Sequence, residues 1–386
     1  MRYIYDMCHG YISFDDRETL FLDNHWVKRL KRIKQLGLLE HVFPSASHSR
    51  FEHSLGVSHI AENYIDILLK NSPGVKSYKK EYKFCIKMAG LFHDLGHGPF
   101  SHVFDNVVIK DHSNCHEIRS RRIVEYIFSE VGTRQGFSSA YIIDYICEMI
   151  EPLSRMYLSI PFFDIVNNTK NSIDVDKFDY LQRDPRHIGL DCAFDPSRIM
   201  NKSFIDDKNI TYSPSVANNI TNMFSTRYRF HKEIYNHKTV KLIELMLGDA
   251  LLSADKTYNF KEIAKGVDFE TLDDSIYSTI LNSDCKDLQN AKSILRRIEN
   301  RNLYKQLWMG KFEHTTSIDA FIEDNHPNIR STDIRYIEMK HDHCNGIDSP
   351  LKNVVFKSSH VGEHPDNDNN VFEDKTVLIY SISNNT

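Results

Sequence analysis

Apolar residues recur at helical spacing along most of the chain and give way to strand-like alternation only towards its end. Phe84, Met88, Leu91 and Leu95 stand at i, i+4, i+7 and i+11 and form one apolar stripe, the mark of an amphipathic helix. A second face of that helix carries Ala89, His93 and His97, where small and imidazole side chains replace bulky ones. Gly96, Gly98 and Pro99 are expected to break the helix just past this polar cluster. Val57, Ile60, Tyr64 and Leu68 make an earlier stripe, and His53 falls on it one turn before, so its ring is expected to point inward. Further helices are predicted from His116 and Glu117 onward, with Ile123, Val124, Ile127 and Phe128 packed, and over 141–150. The chain reads as mainly α.

Around these helices the pattern is looser. Residues 1–14 read as a hairpin turning at His9-Gly10, and residues 19–39 as one amphipathic helix ending near Gly37, whose basic run (Lys28, Arg29, Lys31, Arg32, Lys34) reads as a solvated face, with anion binding or nuclear targeting as the alternative. Residues 44–49 and the segment from Asp105 to His116 read as loops. From about 256 the character shifts. Residues 287–308 predict a charged helix with Arg296, Arg297, Arg301 and Lys305, and 334–339, 354–356 and 376–382 predict short strands. The stretches 341–364 and 366–370 read as loop; His341, His343 and Cys344 lack a fourth ligand at structural-zinc spacing. The expected organisation is a helical core over 1–255 and a smaller α+β lobe over 256–386.

Two more faces interrupt the apolar array. If 173–184 is helical, Ile173, Asp176, Lys177, Tyr180 and Asp184 share a face, a poor core stripe but a good site wall, with Pro185 stopping the run. Arg227, His231, Tyr235 and Lys238 stand at i, i+4, i+8 and i+11, a row suited to a phosphate chain because Arg donates bidentately and Lys supplies a compact charge. His53, His93, Asp94 and Asp176 offer imidazole nitrogen and carboxylate oxygen, donors that divalent ions accept.

Composition narrows the setting. At 386 residues, with 41% apolar and 26% charged positions, the chain is an ordinary globular one, and its net charge of −5 leaves no electrostatic footprint for nucleic acid. Seven cysteines without a CxxC pair argue against a disulfide framework and a Cys-ligated zinc, and place the chain in a reducing, intracellular, cytoplasmic setting, with the nucleus as the alternative. No basic leader precedes an apolar run and no stretch of about 18 apolar residues occurs, so no membrane partner is expected.

The H…HD…D pattern of His53, His93-Asp94 and Asp176 resembles the HD metal-dependent phosphohydrolase superfamily. The text around it, over 43–57, 89–102, 173–180 and 296–305, is similar to the deoxynucleoside triphosphate (dNTP) triphosphohydrolases that join a sterile alpha motif to an HD domain. The chain begins where the catalytic part of that family begins, so the sterile alpha motif is expected to be missing. The resemblance implies an HD-domain helical metallohydrolase core, catalytic, over 1–255, with a divalent metal (Fe, Mn, Zn or Mg) on His53, His93, Asp94 and Asp176, and a regulatory or oligomerisation role for the 256–386 lobe. It implies a catalytic group of His97, His102, Asp105, His116 and Glu117. Arg50, Lys177, Tyr180, Arg227 and His231 would hold the triphosphate, Gln35 and Asp184 the sugar 3′-hydroxyl, and Leu36 and Tyr235 would exclude a 2′-hydroxyl.

The same resemblance implies a homo-oligomer, dimer or tetramer, activated by GTP or a dNTP. Asp23, Arg198, Arg301 and Lys305 fit its regulatory pattern. Lys28 and Lys31 replace a Gln and an Arg, and Ser213 and Ser215 stand where basic residues are expected; each lost charge-assisted contact removes about 1.5–3 kcal/mol. The implied reaction is water attack on the α-phosphorus, with His116 and nearby carboxylates aligning the water and His102 protonating the 5′-oxygen, to give a deoxynucleoside and triphosphate. The alternatives are another HD-type phosphohydrolase, a phosphodiesterase or 5′-nucleotidase, and a non-catalytic nucleotide- or nucleic-acid-binding scaffold.

Overall fold

The computed structural model describes residues 1–75, 78–132, 140–153, 160–191, 194–311, 317–330, 333–344, 346, 348–357 and 373–382. The expected hairpin forms: β1 (Arg2–Asp6) pairs antiparallel with β2 (Gly10–Phe14), and Gly10 takes the left-handed φ of +71° that the turn requires.

The single helix expected over 19–39 is instead divided. Asp15 caps α1 (Asp16–Leu22), and Asn24 accepts from the Trp26 N–H to open α2 (His25–Arg29). These short polar side chains satisfy helix-end N–H groups and so favour a new start over continuation. Arg29 is no solvated residue: it is buried and donates to the carbonyls of Leu272 (2.7 Å), Leu95 (3.2 Å) and His97 (2.9 Å). Past Arg32 the backbone extends, and Lys34 bridges Ser49.

The centre of the molecule is a helical layer made of α3 (Arg50–Asn71), α4 (Glu81–Phe92), α5 (His116–Ile127), α6 (Ala140–Ile150) and α7 (Val175–Ile188). The α3 helix packs on α4 and α7, while α6 packs on α4 and α5. Val57, Ile60, Tyr64 and Leu68 are buried with His53, as the stripe predicted. The α4 helix stops at Phe92, before the polar cluster rather than after it. The cause is competition from α5: Ser120 Oγ accepts from Gly96 N–H (2.8 Å) and donates to the His93 carbonyl (2.7 Å), and Arg119 Nε donates to the Gly96 carbonyl (2.7 Å). His93 to His97 therefore follow tight turns. Residues 105–115, expected as loop, hold a wide helical turn at Phe104–Ile109 and a short 3-10 turn at His112–Asn114. Asp174 caps α7, leaving Ile173 outside it; Pro185 lies within its last turn, and the helix ends at Gly189, φ +71°.

Beyond α7 come α8 (Ser197–Asn201), the hairpin β3 (Ser203–Asp206) and β4 (Asn209–Tyr212), α9 (Ala217–Phe230) and α10 (Lys238–Tyr258). The row Arg227 to Lys238 is not one helix: a wide turn at His231–Tyr235 separates α9 from α10, which begins at Lys238. Then follow α11 (Phe260–Ile263), α12 (Ile276–Asn282) and α13 (Gln289–Glu299). The predicted helix over 287–308 ends at Glu299, because Arg301 turns left-handed (φ +58°) and Lys305 opens β5 (Lys305–Gly310).

After α14 (Ile318–Asn325), β6 (Ile334–Asp342) and β7 (Glu373–Ser381) complete an antiparallel sheet of order β5-β7-β6. The third strand is thus β5; at 354–356 only Phe356 makes one bridge, to Tyr212. His341, expected in a loop, is a buried residue of β6. The 366–370 run and much of the 341–364 stretch lie outside the described residues. One hydrophobic cluster runs from Ile12 to Tyr380, and a smaller one joins Ile322 to Ile334, Val377 and Ile379. Among the described residues no helix is long and apolar enough to cross a membrane.

Candidate active site

Three elements bring the inward-facing donors together: α3 supplies His53, the turns after α4 supply His93 and Asp94, and the first turn of α7 supplies Asp176. His53 Nε2 lies 3.0 Å from Asp176 Oδ1 and 3.3 Å from His93 Nε2, and His93 Nε2 lies 3.5 Å from Asp94 Oδ1. The other ring nitrogens are committed. His53 Nδ1 faces Asp179 Oδ2 at 2.7 Å and His93 Nδ1 faces the Gly90 carbonyl at 2.8 Å. Both Nδ1 atoms therefore act as donors, which turns the Nε2 atoms toward the shared centre.

His53, His93 and Asp176 offer two imidazole nitrogens and a carboxylate close enough together for one divalent metal, and Asp94, 3.5 Å from His93, stands at its edge and belongs also to the neighbouring donor group. Burial would depress the His53 pKa, yet Asp176 and Asp179 raise it to about 10, so the carboxylates around this ring favour positive charge here. Asp176 is held below the usual carboxylate range by the two imidazoles despite its burial.

Asp179 was absent from the sequence-derived set. It is fully buried, accepts from Arg183 Nε (2.8 Å) and lies 2.6 Å from His9 Nε2, while Arg183 also binds Asp6 (2.8 Å). The available signal was its spacing, three residues after Asp176 and four before Arg183 on one helix. A Cβ on Gly56 of α3 would fall well inside contact distance of the Asp179 carboxylate and Arg183 guanidinium. Any larger residue there would have to displace this buried pair.

Beside this centre stands an imidazole cluster. His97 stacks on His116 with centroids 3.8 Å apart, and the His102 ring lies 5.4 Å from His97. His97 Nε2 lies 3.3 Å from Asp94 Oδ1, and Asp94, His97 and His116 form a second group of metal-compatible donors. His116 Nδ1 faces Asp105 Oδ2 (3.0 Å) and its Nε2 faces Glu117 Oε1 (3.2 Å); Arg119 also binds Asp105. The five expected catalytic residues are thus neighbours. Gly96 makes this fit, since a Cβ there would strike the His116 carbonyl. His102 is open to the recess yet crowded by protein; that desolvation, then the charges of Arg50 and His116, lower its pKa to about 4. His97 is lowered too, by burial and Arg50. His102 therefore does not titrate near neutrality as expected from an ordinary imidazole; in the unliganded protein it is neutral there.

The expected substrate residues flank these clusters. Arg50 pairs with Asp94 and donates to Ser101 Oγ (2.7 Å). Lys177 Nζ binds Asp174 (2.8 Å), and the Tyr180 ring lies 6.5 Å from that of His53. Asp184 is buried between His48 Nε2 (2.9 Å) and the Tyr235 hydroxyl (2.6 Å). Gln35 donates its backbone N–H to the His48 carbonyl (2.9 Å), its side-chain Oε1 is buried with no hydrogen-bond partner, and Leu36 beside it is half-buried. Arg227 Nη1 donates to the Asp342 carbonyl (3.0 Å), so β6 reaches this row. The His231 and Tyr235 rings lie 5.0 Å apart, and burial with the Arg227 charge lowers His231 to about 3.

The expected regulatory residues make contacts of their own. Asp23 pairs with Arg2 (2.8 Å) and Lys28 (3.1 Å), and Arg198 reaches the Ser215 carbonyl (3.4 Å). Among the described residues no hydrogen bond or ion pair joins Asp23 to Arg301 or Lys305.

Comparison with known families decides the kinship: residues 50–184 match the HD domain and residues 194–340 the HD associated region. A putative HD domain-containing protein, L394, of Acanthamoeba polyphaga mimivirus is 36% identical over 361 residues, covering 84% of this chain and 78% of that protein. The chain belongs to the HD-domain family. Other HD-domain relatives carry an activity in their names. The deoxynucleoside triphosphate triphosphohydrolase SAMHD1 homolog of Dictyostelium discoideum is 38% identical over 306 residues, 78% of this chain and 59% of that protein. The human deoxynucleoside triphosphate triphosphohydrolase SAMHD1 is 33% identical over 361 residues, 84% of this chain and 57% of that protein. The chain spans less than six-tenths of these two relatives. His53, His93, Asp94 and Asp176 all lie within the HD match, while Arg227, His231 and Tyr235 lie within the associated region.

Proposed function

We propose that the protein hydrolyses dNTPs at the α-phosphate to a deoxynucleoside and inorganic triphosphate. The observation that carries this reading is the convergence of His53 Nε2, His93 Nε2 and Asp176 on one recess, with Asp94 3.5 Å from His93 and Arg50 paired to Asp94 beside it. The relatives named triphosphohydrolases support it. His53, His93, Asp94 and Asp176 would hold the metal, which when bound supplies Lewis-acid polarisation of a phosphoryl oxygen and lowers the pKa of water.

The chain's own residues do the rest. Arg50, Lys177 and Arg227 neutralise the triphosphate, with Tyr180 and His231 donating beside them. His116, with Asp105 on one ring nitrogen and Glu117 on the other, aligns the attacking water, whose proton passes to the Glu117 carboxylate. The new P–O bond forms as the bond from phosphorus to the 5′-oxygen breaks, and His102 delivers a proton to that oxygen. His102 becomes a donor only with substrate present, when the triphosphate charge raises its depressed pKa. Gln35 and Asp184 read the 3′-hydroxyl, and Leu36 and Tyr235 leave no room at the 2′ position.

The proposal extends to regulation and setting. The 256–386 lobe serves oligomerisation, as a dimer or tetramer, and Asp23, Arg198, Arg301 and Lys305 receive GTP or a dNTP as activator. The setting is intracellular. Turnover of dATP, ATP and a cyclic nucleotide by metal-loaded protein, beside His93→Ala and Asp94→Ala, tests the reading. Selective dATP hydrolysis lost in both variants supports it; preference for the cyclic nucleotide overturns it.

A further inference from the structure

One carboxylate from outside the HD match ties together two loops that border the substrate recess. Asp274, just before α12, accepts from the Lys34 N–H at 2.8 Å through Oδ2 and from the Phe100 N–H at 2.7 Å through Oδ1. Its own N–H donates to the Arg32 carbonyl (3.2 Å). The next residues along the first loop are Gln35 and Leu36, and along the second Ser101 and His102.

The second loop does not take its shape unaided. Phe100 and Ser101 are consecutive non-glycine residues with left-handed φ, +54° each, a conformation that persists only where the surroundings hold it. Asp274 holds it through hydrogen bonding, and Tyr277 from the same segment packs its ring 6.1 Å from that of Phe100. Ser101 Oγ in turn accepts from Arg50 Nε (2.7 Å) and donates to the Lys34 carbonyl (3.4 Å), which closes a ring of contacts between the loops.

We infer that Asp274 is a positioning residue: by clamping Lys34 and Phe100 it fixes the sugar-reading pair Gln35-Leu36 in register with Arg50 and His102 on the phosphate side. It touches no substrate. This inference rests on the triphosphohydrolase reading, because the register matters only if sugar and α-phosphate are held at once. A purely structural hydrogen bond would affect melting and leave selectivity alone; a register clamp affects selectivity.

The test compares wild type with Asp274→Asn and Asp274→Glu. In the amide variant, Nδ2 would face one of the two N–H donors, so one loop is released; the glutamate keeps charge and both acceptors. With metal content checked in each, kcat and KM are measured for dATP and ATP, together with amide hydrogen exchange at Lys34 and Phe100. In Asp274→Asn we expect exchange at one or both amides to accelerate, dATP kcat/KM to fall about 10- to 100-fold mostly in kcat, metal content to hold, and the preference for dATP over ATP to shrink at least 5-fold. Asp274→Glu, the variant to use if the amide form does not fold, should lose less than Asp274→Asn but still narrow the preference. Unchanged dATP kcat/KM and preference in a folded variant with faster exchange would overturn the inference and leave the function standing. A metal-loaded wild type that turns over no dNTP would overturn the function, and the inference with it.

Discussion

His53 and His93 face one another through Nε2 atoms 3.3 Å apart, each with its Nδ1 already bonded, to Asp179 and to the Gly90 carbonyl. Two lone pairs so directed repel unless a cation lies between them, and Asp179 fixes the direction of one. Asp179→Asn should therefore weaken metal binding about 10- to 100-fold. Elemental analysis after equilibration with a competing chelator reads this; full retention of metal against the same chelator would show that Asp179 does not orient His53.

Gly56→Ala acts on the same carboxylate from the opposite helix. The added methyl must displace Asp179 or Arg183, both buried. Overpacking of this kind costs about 1–3 kcal/mol. A lower thermal midpoint accompanied by reduced metal retention is expected, whereas an unchanged midpoint would mean that α3 and α7 separate freely.

Protonation sets His102 and His231 apart from ordinary imidazoles. Desolvation by the surrounding protein, with the Arg50 charge, lowers the exposed His102 to about 4, and burial with the Arg227 charge lowers the half-buried His231 to about 3. In the unfolded chain both sit near ~6.5. Between those values the unfolded state binds more protons, so their contribution to stability is intact above about pH 6.5 and declines as pH falls toward 4. The thermal midpoint should fall over that window, and His231→Gln should flatten the fall. Binding of inorganic triphosphate should raise both pKa values and take up protons near pH 6. Titration calorimetry in two buffers of different ionisation enthalpy measures the uptake; net release would contradict the assignment of these rings to the phosphate side.

The Tyr235 hydroxyl donates to Asp184 at 2.6 Å. Tyr235→Phe removes that donor and leaves the buried carboxylate with His48, a loss of about 1.5–3 kcal/mol for a charged hydrogen bond. We expect dATP kcat/KM to drop by about one order of magnitude and the discrimination against ATP to narrow. Equal losses for both nucleotides would separate Tyr235 from sugar reading.

How much of this was legible in the sequence depended on the range of the interaction. The stripes of Val57 to Leu68 and of 141–150 were legible because apolar periodicity is local, and His53 lay on its stripe. The proximity of His53, His93, Asp94 and Asp176 was legible through their resemblance to a known pattern, not through spacing. Where helices ended was not. The end of α4 depends on Ser120 and Arg119 of α5, and the ends of α1 and α13 on Asn24 and a left-handed Arg301. Pro185 looked like a stop, yet the helix continued to Ile188, where Gly189 could turn left-handed. Asp179 and Asp274 were missed because what they hold, an imidazole of α3 and two loop amides, is distant in sequence.

The most direct test of the central claim is hydrolysis of dATP by metal-loaded protein in water enriched in oxygen-18, with products resolved by mass spectrometry. Attack at the α-phosphorus with departure of the 5′-oxygen predicts unlabelled deoxyadenosine and triphosphate carrying one heavy oxygen. Deoxyadenosine monophosphate with pyrophosphate, or label in the deoxyadenosine, would contradict the account.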